Sequence, residues 1–125
     1  MTENEIGDVI VDSAFKVHSA LGAGLLESAY EACLTHELLK RSLAVARQVP
    51  FPILYDGERI DVAFRLDLLV QEKVVIEVKA VEKLLPVHTA QVLTYLKLGK
   101  LKLGYLLNFN VPHMKDGTKR IVNGL

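Results

Sequence analysis

Apolar residues change period several times along the chain, and each change marks an element. Between residues 5 and 21, Ile6, Val9, Ile10, Phe15, Val17 and Leu21 recur at near-helical spacing and predict a helix. Leu21-Gly22-Ala23-Gly24 breaks it, the two glycines serving a sharp turn. A second helix is predicted from about Leu25 to Arg41, with Leu26, Ala29, Tyr30, Cys33, Leu34 and Leu38 as its apolar stripe. Ala44 to Tyr55 is rich in β-formers, and Pro50 and Pro52 assign it to a sheet edge or a bulge. Asp56-Gly57 is a hairpin turn signal. Arg59 to Val70 and Val74 to Val81 then read as two strands joined by the polar Gln71-Glu72-Lys73. Pro86 suits the first turn of a helix that runs to about Leu98 and ends at Gly99-Lys100. Leu103 to Phe109 reads as a last core strand, and past Pro112 and Asp116-Gly117 the short Arg120-Ile121-Val122 adds an edge strand. The order is helix, helix, a meander of three strands, helix, strand. That is an α/β fold with an antiparallel meander and a crossover helix that lets the next strand join in parallel.

The register of the two central strands carries the chemistry. With residues 71–73 as the loop, Val70 faces Val74, Leu69 faces Val75, Leu68 faces Ile76, and Asp67 faces Glu77. Side chains alternate between faces, so Asp67, Glu77 and Lys79 are expected to emerge on one side. The other side carries Leu66, Leu68, Val70, Val74, Ile76 and Val78, all apolar, and a slip of one residue would mix charge into the core. Carboxylates directly opposite on a sheet have Cβ atoms about 4.5–5.5 Å apart and repel. A hard cation between them reverses the sign. Mg²⁺ takes oxygen ligands at about 2.0–2.1 Å and is often held by one or two carboxylates with water and phosphate oxygens completing the shell. Such an ion activates water and neutralises charge at a reacting phosphate. Lys79 adds a second positive charge on the same face. A solvated face with a Glu–Lys surface pair also explains Glu77 and Lys79, since such pairs are common. It explains less well their setting among Val74, Val75, Ile76 and Val78, a strand apolar enough to be buried on both sides.

Composition narrows the function. A chain of 125 residues is one domain, 1–125. The single Cys33 excludes an internal disulfide and fits a reducing compartment. No apolar run reaches the ~20 residues of a membrane span, and the acidic, polar start Met-Thr-Glu-Asn-Glu is unlike a secretory signal, so a cytoplasmic location without membrane contact is expected. Four histidines without zinc spacing argue against a structural zinc. Nucleophile elbow and Walker-type loop are both lacking. Fifteen basic and fifteen acidic residues cancel, so nucleic-acid binding has no global charge excess to draw on. It must use a local basic patch, a partner subunit such as a second copy in a homodimer, or weak transient contact.

Asp67 followed by Glu77-Val78-Lys79 across a short hairpin resembles the Asp…(D/E)-x-K signature of the PD-(D/E)XK nuclease superfamily. Upstream, Gly24-Leu25-Leu26-Glu27-Ser28-Ala29-Tyr30 is similar to the GxxExxY pattern that names one bacterial and archaeal family within it. The likeness runs from about Ile10 to Asn110 and takes in His88 to Gln91, Tyr95-Leu96 and Leu106 to Phe109. Leu66 stands where the signature has its proline. The resemblance implies a restriction-endonuclease-like αβββαβ core, a mixed sheet flanked by helices. It also implies a Mg²⁺- or Mn²⁺-dependent nuclease acting on nucleic acid, DNA ahead of RNA. By the same resemblance Asp67 and Glu77 are metal ligands with the main-chain carbonyl of Val78, and Glu27 is an acid beside the metal. Lys79 is the catalytic lysine and Gln91 the glutamine that follows the ExK strand.

Each supporting residue also has a plain reading. Glu27 complements the dipole at a helix start. Tyr30 reads as a packing residue whose hydroxyl finds a polar partner. His88 reads as a surface residue or one that supports the site from outside, three positions before Gln91. The alternative function is a non-catalytic nucleic-acid-binding or regulatory module that keeps the nuclease fold, and a third is a structural interaction domain in which Asp67 and Glu77 bind nothing.

Overall fold

The computed structural model describes residues 1–125, apart from the side chains of Val62 and Ala63. Helix α1 spans Glu3–Leu21. Its start is fixed by a reciprocal cap: the Glu5 N–H donates to Thr2 Oγ1 at 3.2 Å, and the Thr2 N–H donates to Glu5 Oε1 at 2.8 Å. Ile6, Ile10, Ala14 and Val17 form its buried stripe, whereas Phe15 and Leu21, expected on that stripe, are exposed. The turn after α1 uses Gly22 and Gly24, both at positive φ. Helix α2 spans Glu27–Lys40. It buries Tyr30, Glu31, Leu34, Thr35, Glu37 and Leu38, so the expected stripe is rotated: Leu26 and Cys33 lie outside, and two acids lie inside.

The strands are β1 (Val45–Tyr55), β2 (Glu58–Val70), β3 (Val74–Lys79), β4 (Leu103–Asn108) and β5 (Thr118–Val122), arranged in one sheet in that order. Every neighbouring pair is antiparallel except β3 and β4, which are parallel and joined across helix α3 (Pro86–Gly99). β1 is the edge strand anticipated from its prolines, with a register shift between Phe51 and Ile53. Asp56 and Gly57 turn the hairpin, both at positive φ. A single turn of helix, α4 (Met114–Gly117), precedes β5 where a loop was expected.

The register around residues 71–73 is as read from the sequence: Val70 pairs with Val74, Leu69 with Val75 and Leu68 with Ile76. The two faces of the sheet are covered separately. Helices α1 and α2 pack on Leu68, Val70, Val74, Ile76, Val78, Leu103, Tyr105, Leu107 and Phe109. Helix α3 packs on the other face, against Leu66, Val75 and Leu106. Leu66 is therefore a correction: it lies on the α3 face rather than with Leu68 and Val70, because the alternation of β2 reverses between them. The outer part of the β1–β2 hairpin follows it to the α3 side, where Phe51 and Phe64 pack and the Phe51 ring presses on Gly99.

Candidate metal centre and active site

The site lies where β2 and β3 part. Their ladder ends at Leu68 and Ile76, and the next main-chain donors are taken up by side chains instead. The Val78 N–H donates to Asp67 Oδ2 at 2.8 Å, and the Asp67 N–H donates to Glu77 Oε1 at 3.1 Å. The two acids thus stitch the diverging strands and stand side by side. Glu77 is only 4% exposed. Burial, followed by the charge of Asp67, pushes its carboxyl up to about 8. Burial also raises Asp67, and the charge of Glu31 adds to the rise. A proton kept on Glu77 can bond to the Asp67 carboxylate, which raises Glu77 further and offsets part of the rise of Asp67.

The expectation that Asp67, Glu77 and Lys79 share one face needs correcting. Asp67 lines a cavity of about 190 Å³ on the α2 side, together with Glu27, Ser28, Glu31, Gln48 and Val78. Lys79 opens on the α3 side into a cavity of about 570 Å³ lined by His88, Gln91 and Tyr95. The physical reason is the same reversal of β2 that moves Leu66, since it carries Asp67 out of the alternation assumed for it. Glu77 bridges the two sides: it is bonded to Asp67, and the Tyr95 hydroxyl, raised first by burial, is raised further by the nearby acids Glu77 and Asp67. Lys79 makes no ion pair among the described residues, yet its charge offsets a small part of the rise of both acids.

Glu27 stands at the first position of α2, exposed, its Oε1 accepting from the Ala80 N–H at 3.3 Å. It joins Asp67 in lining the smaller cavity. Gln91 is exposed on α3 beside the Lys79 cavity. His88 caps its helix, Nδ1 accepting from the Leu85 N–H at 3.0 Å. Tyr30 has the packing role read for it. It stacks on Phe109 with centroids 4.6 Å apart, accepts from the Leu25 N–H and donates to the Gly22 carbonyl.

Three residues were missed. Asn108, 2% exposed, accepts from the Val81 N–H and donates to the Val81 carbonyl, which fixes the chain leaving Lys79. Glu31 is buried and accepts from Arg47 and Gln48. A signal for Glu31 existed in its position four residues after Glu27, on the same helical face; none existed for Gln48.

Among the described residues no three His, Cys, Asp or Glu side chains form a cage for a metal ion. The donors that do converge still suit a hard dication. Asp67 and Glu77 offer only oxygen, and ionising both in this buried setting carries a penalty that a cation would offset. Water or phosphate oxygens would have to complete the shell.

A mixed sheet flanked by helices, with acids at the parting of two antiparallel strands, defines a restriction-endonuclease-like α/β protein. Residues 4–121 match the family model of the PD-(D/E)XK nuclease superfamily, and the chain belongs to that superfamily. No curated protein and no solved structure gives a match. No helix among the described residues is long and apolar enough to cross a membrane.

Proposed function

We propose that this protein is a Mg²⁺- or Mn²⁺-dependent phosphodiester hydrolase acting on nucleic acid, with DNA ahead of RNA, and that it belongs to the GxxExxY branch through Gly24, Glu27 and Tyr30. The observation that carries the reading is the pairing of half-buried Asp67 with buried Glu77, two acids whose ionised forms repel unless a dication sits between them. Asp67 and Glu77 would be the ligands, with the Val78 carbonyl, and Glu27 would act through water from the neighbouring cavity. When bound, the ion supplies Lewis acidity toward the phosphate and lowers the cost of making hydroxide from water. Lys79 holds and orients the nucleophilic water and balances charge on the phosphate oxygens as the 3′-oxygen departs. Gln91, on the same cavity as Lys79, orients that water or the lysine.

A neutral chain of this size grips a duplex poorly, so a homodimer or partner protein is part of the proposal. The single cysteine suits a reducing, cytoplasmic setting. The test is a cleavage panel across single-stranded, double-stranded and branched DNA and RNA with Mg²⁺ or Mn²⁺. Lys79→Ala should lower the rate by about 100-fold or more while metal binding persists, and Glu77→Ala should remove both. Cleavage by Lys79→Ala at the wild-type rate would overturn the mechanism, and cleavage surviving Glu77→Ala would reveal a contaminant.

A further inference from the structure

The β1–β2 hairpin reverses its faces once, and the reversal falls at the site. In a regular strand, residues two apart share a face. In β1, Val45 packs with the α1–α2 core and Arg47 reaches Glu31 of α2, but Val49 and Phe51 pack on the α3 side. In β2, Val70 and Leu68 belong to the α1–α2 core, but Leu66 and Phe64 to the α3 side. Pairing continues on both flanks with no residue inserted: Arg47 with Leu68, Val49 with Leu66. Between them Gln48 and Asp67 stand opposite each other without pairing. Gln48 is the pivot, at φ 50°, a left-handed conformation that costs any residue with a Cβ.

Something must hold a glutamine in that conformation. Its Nε2 donates to Glu31 Oε1 at 2.7 Å, and the Arg47 Nη2 donates to Glu31 Oε2 at 2.8 Å. One acid, 7% exposed, therefore clamps the pivot and the residue before it. Without the reversal, Asp67 would continue on the face of Leu69, toward α3. With it, Asp67 reaches the Val78 N–H from the cavity it shares with Glu31 and Gln48.

We propose that Glu31 and Gln48 are positioning residues for Asp67: by clamping the reversed hairpin they aim its carboxylate at Val78 and Glu77. The inference rests on the proposed metal-dependent reading for its consequence, but not for its geometry. It is tested with Gln48→Gly, which keeps the left-handed backbone and deletes the clamp, and with Glu31→Ala and Glu31→Gln. Two readouts apply to the full chain: hydrogen exchange of the Val78 amide in metal-free protein, and the Mg²⁺ concentration needed to raise the melting temperature. Gln48→Gly and Glu31→Ala should speed exchange at Val78 by about tenfold or more while Ile76 and Leu106 stay protected. They should weaken Mg²⁺ binding about 10- to 100-fold, and Glu31→Gln, which keeps an acceptor oxygen, should recover most of both losses. Unchanged Val78 exchange in both deletions overturns the proposal. Protection lost evenly across the sheet also overturns it, because that marks a merely structural role. If the wild type binds no Mg²⁺ and cleaves nothing, the functional reading fails while the Val78 readout still decides the clamp.

Discussion

The two faces of the sheet are held by different means. The α1–α2 face is a broad apolar layer in which Tyr30, Leu34, Leu38, Leu68, Ile76, Leu107 and Phe109 are all fully buried. It is laced at its margin by ion pairs, Lys16 and Arg41 on Glu37, Arg41 on Asp12, and Arg47 on Glu31. The α3 face is thinner. Val75, Val92, Leu96 and Leu106 make its buried centre, and partly open Phe51, Phe64 and Leu93 complete it. Among the described residues no ion pair crosses it. One face is a scaffold that fixes β3 and β4 from below. The other is a light cover pierced by the Lys79 cavity, and the hairpin passes from the first to the second at Asp67.

This contrast predicts unequal costs for the same deletion. Leu34→Ala on α2 removes a fully buried side chain from a layer anchored on several sides, and should cost about 4 kcal/mol by denaturant unfolding. Leu96→Ala on α3 is equally buried, but its neighbours can settle into the space, so about 2–3 kcal/mol is expected. Equal losses would show that the two layers are equally rigid and remove the basis of the comparison.

What the sequence made legible follows the same division. The order of elements and the pairing of Val70 with Val74 were readable, because alternation of polar and apolar residues and the short polar loop both specify them. The acids and Lys79 were readable as a group for the same reason. Their distribution over two sides was not, because alternation alone predicts that the pattern continues through Asp67. The break depends on Gln48 in a left-handed conformation at a position where no glycine announces it. Its support comes from Glu31, seventeen residues earlier in the chain and on another element. A charged residue is rarely buried unless paired, and the partners that let Glu31 and Glu37 of α2 be buried, Arg47, Lys16 and Arg41, lie mostly on other elements, beyond the reach of a local pattern. Leu26 and Cys33 were misassigned to the core as the other side of that rotation.

The crossing point should behave unlike either layer, because burying its two adjacent acids opposes folding. Glu77→Gln keeps an oxygen for the Asp67 N–H and an amide for the Asp67 carboxylate, and it folds at neutral pH without the proton uptake that the raised Glu77 carboxyl requires. Without divalent metal this variant should be more stable than wild type by about 0.5–1 kcal/mol. With Mg²⁺ at about 100 times the dissociation constant, the wild type should gain about 2.7 kcal/mol and the variant almost nothing. A substitution that stabilises the metal-free protein while abolishing its response to the ion separates a site from a scaffold. Loss of stability in both conditions would place Glu77 with the scaffold.

The smallest effect concerns the ion pairs at the margin of the α1–α2 face. The hydrogen bond from Lys16 at 2.6 Å, the first of several causes, holds the Glu37 carboxyl below its usual value of 4.5. The folded state therefore releases this proton more readily than the unfolded chain. The associated stability is fully present above the unfolded value and disappears as pH falls through the lowered folded value. Lys16 is half exposed, so solvent screens the pair and the effect is modest. Lys16→Met should lower the melting temperature slightly at neutral pH, and the two melting curves should converge once the pH drops below the folded value. Added salt should shrink the difference at neutral pH for the same reason. If the gap between wild type and variant persisted unchanged into acid, the contribution of Lys16 would be the packing of its alkyl stem on α2 rather than its charge, and the electrostatic half of the comparison between the two faces would fall.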